Sequence, residues 1–250
     1  MKSSYLDSIF SLKGKVCFVT GASRGIGYGI AEAFYQAGAI VYGVGRTPAE
    51  RLSPNWNYIA CDVTHRDELL AVLETISNKG QNLNVLVNAA GITNPNSDGD
   101  FLNKFRDTLE INLVAAYEIC MLALPYMKLS KDGSIINITS IGSKIGFPDN
   151  PSYVASKGGL RMLTKALAND LGTDNIRVNN LAPGYMKTAM TKLSFENDEM
   201  NHARRDRMLL NRWGEISDLI GAAIFLASDA SSYVTGSDIF VDGGWTAKGL

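Results

Sequence analysis

The chain reads as an α/β protein built on a parallel sheet, and three observations predict this. Short β-branched apolar runs recur along its 250 residues, helical patterns separate them, and the runs are apolar on consecutive residues. A parallel sheet is covered on both faces, so both alternating sets of strand side chains must be apolar, as in "VCFVT", "VLVN" and "IINIT". No repeat, low-complexity tract or linker interrupts the alternation. A chain of this length suits one large domain, so residues 1–250 are expected to form a single unit.

The first strand is expected at 16–20. It runs into Thr20-Gly21-Ala22-Ser23-Arg24-Gly25-Ile26-Gly27 and a helical pattern over 27–37 that Gly38 stops. The second and third strands fall at 40–45 and 58–61. The helix at 66–78 has an acidic first turn, Asp67 and Glu68, behind a cap at Thr64 or His65. After the fourth strand, 85–88, the polar stretch 94–100 stands outside the pattern. The next helical pattern, 101–127, is long for one globular helix, and Pro125 is expected to end or bend it. A fifth strand at 134–139 leads to a helix at 152–171 with Gly172 as its stop signal, then a sixth strand at 177–181. The charged segment 186–214 is the second stretch outside the pattern. A helix at 216–227 and a seventh strand at 239–241 complete the chain.

Composition narrows the function. With 46% apolar and 20% charged residues the chain is globular, not disordered or fibrous. A net charge of -1 offers no cationic excess for a phosphate backbone, so no nucleic-acid partner is expected. Cys17, Cys61 and Cys120 lie far apart without metal-ligand spacing, which predicts buried thiols in a reducing compartment and no metal site. The first twelve residues lack the apolar core of a secretory signal, and no later run holds about 18 uninterrupted apolar residues. A cytoplasmic location with no membrane partner is expected.

The glycine-rich turn carries the first functional signal because a strand precedes it and a helix follows. Gly21 permits a tight turn, Gly25 lets the backbone approach a pyrophosphate, and Gly27 allows helix to pack on strand. The helix N-terminus, together with Ser23 and Ile26, then faces the anion. At the end of the second strand stand Gly45 and Arg46, with no carboxylate to hold a ribose 2′-hydroxyl. Arg46 and Arg24 could instead grip a 2′-phosphate, which favours NADP(H) over NAD(H); the competing reading makes both arginines solvated surface charges.

The second signal is Ser140 at the end of the fifth strand, with Tyr153 thirteen residues on and Lys157 one helical turn beyond it, in "PSYVASKGG". Positions i and i+4 share a helix face, so the ammonium is expected beside the phenol, favouring phenolate. A free phenol titrates near 10, and each unit towards neutrality costs about 1.36 kcal/mol. Tyr153 would exchange a proton with a substrate oxygen while Ser140 holds that oxygen by a hydrogen bond.

These motifs together resemble the short-chain dehydrogenase/reductase family over 13–245. The landmarks are "TGASRGIG", "CDV" at 61–63, "NAAG" at 88–91, "IN" at 111–112, Ser140, Tyr153 with Lys157, "APG" at 182–184 with Thr188, and "VDGG" at 241–244. The resemblance implies a Rossmann-type doubly wound sheet, order 3-2-1-4-5-6-7, with helices on both faces. It implies adenine contacts from Asp62 and Val63, and a cofactor pocket lined by Asn88, Ala89 and Gly91. Asn112 would distort its helix and complete a relay with Lys157, Tyr153 and Ser140. Lys157 and Tyr153 would also touch the cofactor, and Pro183, Gly184, Met186 and Thr188 would meet its nicotinamide end. A homotetramer, assembled partly through the helices carrying Asn112 and Tyr153, is implied as well.

The expected substrate is a small-molecule carbonyl or alcohol, and the loops after the fourth and fifth strands together with 186–214 should choose it. Arg204, Arg205 and Arg207 in that segment are either a grip for an anionic substrate or one side of an amphipathic lid helix. "APGYMKT", "RWGE" and "VDGGWTA" look most like the gluconate, polyol and sugar dehydrogenases of the family. The alternatives are a β-ketoacyl carrier-protein reductase, a non-catalytic dinucleotide sensor or scaffold, and a methyltransferase on a similar sheet.

Overall fold

The computed structural model describes residues 5–48, 52, 54–94 and 100–249; five of the seven residues of the polar stretch 94–100, numbers 95–99, lie outside that set. Its sheet joins β1 (Val16–Thr20), β2 (Ile40–Gly45), β3 (Asn57–Ala60), β4 (Leu83–Asn88), β5 (Gly133–Ile138), β6 (Ile176–Pro183) and β7 (Asp238–Val241). All seven pair in parallel, in the order β3-β2-β1-β4-β5-β6-β7. The helices are α1 (Tyr5–Ile9), α2 (Gly25–Gln36), α3 (Arg66–Asn78), α4 (Phe101–Leu109), α5 (Ala115–Lys128), α6 (Pro151–Leu171), α7 (Lys192–Glu196), α8 (Asp198–Arg207) and α9 (Ile216–Ala227).

Strand alternation divides the core in two. Val16 and Phe18 of β1 enter the core shared with α3, α5 and α6, while Cys17 and Val19 enter the one shared with α2 and α9. All four are buried, which is why the run "VCFVT" carries no polar face. Each such side chain contributes roughly 1.5–3 kcal/mol by leaving water.

Three local expectations need correction. Pro125 does not end its helix: α5 continues to Lys128, because the ring sits on the exposed side where solvent can serve the freed carbonyl. The distortion comes earlier, in a π-helical turn at Glu110–Val114 between α4 and α5. Gly172 is not the left-handed stop either. It keeps a right-handed φ of -59° and starts a 3-10 turn, Gly172–Asp174, and Asn175 takes the left-handed position at φ +58°. The α3 cap falls at His65, without a side-chain capping bond; Thr64 is instead bonded to Asp62.

The stretch Phe101–Lys128 is long and apolar enough, by length and composition, to cross a membrane. Here its buried residues, among them Ile119, Ala123 and Met127, lie in the core beside the sheet.

Candidate active site

The strand order reverses between β1 and β4, so the loops after these strands diverge and open a crevice at the carboxyl edge of the sheet. Thr20, the last residue of β1, ties its two sides together: its buried Oγ1 accepts the N–H groups of Ala89 and Ala90, each at 3.1 Å. Gly21 then takes φ +65°, where any side chain would strike the Ala89 and Ala90 backbone. Gly27 lies so close that a Cβ would overlap the Gly21 carbonyl, while Ile26 packs partly buried against the α2/α9 core. Gly25, at φ +59°, faces open space instead. It begins α2, whose N-cap Arg24 makes no side-chain capping bond, so the first-turn N–H groups point at the crevice unclaimed by a cap.

At the end of β2 a Cβ on Gly45 would meet the Tyr58 hydroxyl at 3.0 Å and Ser23 at 3.1 Å. A carboxylate side chain there would need Tyr58 and Ser23 to give way, and the next residue, Arg46, is exposed, as is Arg24. Asp62 accepts the Thr64 N–H at 3.0 Å and its hydroxyl at 2.9 Å. Partial burial works to raise the Asp62 carboxyl, but those bonds and the nearby Arg46 charge outweigh it and hold the group below its usual value. Val63 is buried in the core under α3, so an adenine would meet chiefly its backbone.

The reaction-centre residues converge at the end of β5. Ser140 follows this strand and caps a short 3-10 turn, its Oγ accepting the Gly142 N–H at 3.0 Å. Tyr153, in the first turn of α6, is half-buried with its phenol beside the Ser140 hydroxyl. Lys157, one turn on, is only 5% exposed; its Nζ donates to the Ile138 carbonyl at 2.8 Å and lies 5.9 Å from the centre of the Tyr153 ring. Asn112 sits in the π-helical turn. Its Oδ1 accepts the Ile92 N–H at 2.8 Å, and its Nδ2 donates to the Ile92 carbonyl and to Ser156 Oγ, both at 3.0 Å. A Cβ on Gly91 would come within 3.2 Å of Asn112 Oδ1 and 3.5 Å of Lys157 Nζ, so a glycine here lets both groups reach the loop.

The chain's own electrostatics oppose ionisation of the phenol, so the expected phenolate would also need the oxidised nicotinamide. Burial pushes the Tyr153 phenol above its ordinary value, with the Ser140 hydrogen bond opposing it and Tyr185 adding to it. Burial also drives the Lys157 ammonium down to about 8. The ammonium is held by a strand carbonyl, and desolvation of the phenol outweighs any attraction between the two. In this arrangement the phenol is a proton holder, not a phenolate.

Two further expected contacts shift. Met186 is 4% exposed and packed in the α2/α9 core, with its sulfur against Gly214, so its side chain does not face the crevice. Asn88 is likewise buried, and its amide donates to Asn137 at 2.8 Å beneath the crevice floor. Ala89 and Gly91 are half-buried beside it. Pro183 ends β6, Gly184 packs against Asp242 closely enough to exclude a Cβ, and Thr188 forms a capping box with Thr191.

Two groups of residues escaped sequence reasoning. The first is a polar ladder in one register across four strands, Asn88, Asn137, Asn180 and Asp238. Thr164 of α6 bridges Asn137 and Asn180 at 2.8 and 2.7 Å, and Asn180 donates to Asp238, which pairs with Arg161. The asparagines inside "IINIT" and "RVNNLA" were the available signal, since a buried amide must be bonded. The second is an aromatic wall. Phe147 stacks on Tyr153 with centroids 6.3 Å apart and lies equally far from Tyr185, which in turn meets Trp213 and Trp245 at 5.5 and 4.7 Å.

A nucleotide crevice floored by a glycine turn, beside a serine, tyrosine and lysine at one strand end, defines a dinucleotide-dependent oxidoreductase. A family profile described as enoyl-(acyl carrier protein) reductase matches residues 21–246, and the chain belongs to the short-chain dehydrogenase/reductase family. It is 36% identical to the 2-dehydro-3-deoxy-D-gluconate 5-dehydrogenase of Bacillus subtilis over 98% of this chain and 99% of that protein. It is 35% identical to the 3-oxoacyl-[acyl-carrier-protein] reductase of Thermotoga maritima over 93% and 98%. Among solved structures, a gluconate 5-dehydrogenase from Burkholderia cenocepacia, in complex with NADP and tartrate, superposes with a TM-score of 0.91 at 31% identity, covering 98% and 100%.

Proposed function

We propose that the protein interconverts a carbonyl and a secondary alcohol on a sugar acid, sugar or polyol, using NADP(H), with Tyr153 as acid/base. The observation that carries this reading is the placement of the Tyr153 phenol beside Ser140, one helical turn from buried Lys157, at the crevice that the glycine turn opens. The chain's residues fit the cofactor. A side chain on Gly25 would project into the open space before the α2 N-terminus, and Arg46 with Arg24 supplies positive charge at the β2 end that suits a 2′-phosphate. The solved relative that holds NADP supports the same preference.

Bound NADPH supplies hydride to the carbonyl carbon. Ser140 donates a hydrogen bond to the carbonyl oxygen, and Tyr153 transfers its proton to that oxygen, so C=O becomes CH–OH and the phenol becomes phenolate. Lys157 faces that new anion across the ring, and Asn112, beside it at Gly91, is the next polar group of the relay. Oxidation runs the same steps backwards, starting from phenolate. A neutral, buried phenol keeps its proton until a developing alkoxide draws it, which suits reduction at neutral pH.

Around this centre, the backbones of Asp62, Val63, Asn88, Ala89 and Gly91 would line the adenine and ribose side, and those of Pro183, Gly184 and Met186, with Thr188, the nicotinamide side. Residues 186–214 would act as a lid on one domain. The exposed apolar side of α4, α5 and α6, with Val114, Tyr117 and Met162, supports assembly into a homotetramer. Three buried free thiols suit the cytoplasm. The second reading, a 3-oxoacyl carrier-protein reductase, rests on the relative from T. maritima. Absorbance at 340 nm with ketoses, keto sugar acids and acetoacetyl thioesters, run with NADPH and NADH in parallel, tests both. Consumption of NADPH with no panel member would overturn the sugar-acid and the thioester readings together.

A further inference from the structure

We infer that Arg204 of α8 grips the carboxylate of the substrate and thereby selects acids over neutral sugars; this rests on the sugar-acid reading above. The arginine cluster of the lid separates cleanly by partner. Arg205 donates from Nε to the Asn211 carbonyl at 3.3 Å, Arg212 forms two bonds to Asp218 at 2.7 and 2.9 Å, and Arg207 lies exposed over Trp245. Arg204 differs. Its guanidinium carbon sits 4.9 Å from the centre of the Tyr185 ring, its Nη1 reaches the Met200 carbonyl at 3.4 Å, and its Nε is buried with no hydrogen-bond partner.

A buried guanidinium N–H without an acceptor is uncommon, because removing it from water is repaid only by a bond. Trp245 Nε1 is in the same condition, and its ring also packs on Tyr185. Two buried, unpartnered N–H donors, one cationic and one neutral, therefore border a single ring, and no carboxylate of the chain pairs with Arg204 among the described residues. That ring leads to the reaction centre: Phe147 lies 6.3 Å from both Tyr185 and Tyr153, and Tyr185 is close enough to raise the Tyr153 phenol. The wall thus runs from the proton donor to an unpaired cation. A polyhydroxy acid whose reacting carbon sits at Tyr153 would extend its carboxylate along this wall towards Arg204. A carboxylate accepts charge-assisted bonds from such a donor, whereas a terminal hydroxymethyl group gains far less.

The test compares D-gluconate with its neutral isostere D-gluconamide, as substrates with NADP+ and as ligands of the enzyme–NADP+ complex by calorimetry. Wild type should prefer the acid. Arg204→Gln should raise KM or Kd for gluconate about 10- to 100-fold, leave kcat within about threefold and leave gluconamide unchanged. Arg204→Lys should restore part of the preference, and unchanged NADP+ binding shows that the variants are folded. A wild type that does not distinguish acid from amide overturns the inference, as does a preference that survives in Arg204→Gln. Gluconate that binds through Arg204 but is not oxidised would sustain the grip while refuting the proposed reaction.

Discussion

Tyr153 and Lys157 are both displaced by burial, in opposite directions, and each displacement has a consequence that can be measured. A phenol held above its ordinary value is a donor at neutral pH. Reduction should therefore run at a steady rate through neutrality and decline only in alkali, whereas oxidation, which needs phenolate, should climb with pH. Tyr153→Phe should lower kcat by about 10²–10⁴-fold and leave NADPH binding, read by its fluorescence, intact. Lys157 titrates near 8 in the fold against 10.5 free. Below pH 8 both states hold the proton and the full burial cost is present. Between about 8 and 10.5 only the unfolded chain holds it, so this residue makes stability rise with pH across that window. Lys157→Met should remove that slope and raise stability at pH 7 by about 1–3 kcal/mol while turnover is lost, a trade measurable by denaturant titration at several pH values. At the phosphate end, Arg46→Ala should reduce kcat/KM for NADPH about tenfold or more and leave NADH little changed. Gly45→Asp alone should not create an NADH enzyme, because its side chain would crowd Tyr58 and Ser23 and Arg46 would remain.

Among the elements, α6 is the one the chemistry depends on, and the polar ladder seats it. Asn180→Leu leaves Thr164 and Asp238 each short of a buried partner, which should cost about 1–3 kcal/mol per group and lower the melting temperature along with kcat. Much of this level was readable in the sequence. β1, β2, α3 and α9 lie where their apolar spacing puts them, because each is bounded by a turn or capping signal and buries a continuous run. Ser140, Tyr153, Lys157 and Asn112 likewise come together as their motifs imply. The misplacements share a cause: they depend on distant partners. "IINIT" announces a buried asparagine but not that Thr164 waits on another element. Asn88 and Met186 fit a cofactor motif through their backbones, while their side chains belong to the ladder and the core, which the motif did not announce. Pro125 could be disruptive only if its side of the helix were buried, and it is not.

At the scale of the whole molecule, the sheet was legible because a strand covered on both faces leaves an unbroken apolar run, and the strand order followed from family resemblance instead of spacing. Assembly was less legible, since an exposed Val114 at 46% or Met162 at 61% looks in sequence like any core residue. If the proposed tetramer forms across this face, Val114→Arg should shift the mass in sedimentation towards smaller species with little change in far-ultraviolet circular dichroism. The π-helical turn gives that shift a second reading. One residue, Leu113, separates Asn112, which clasps the backbone of Ile92, from the exposed Val114, so the turn that serves the chemistry also reaches the outer surface. If a second subunit docks on that surface, diluting the enzyme should lower its specific activity.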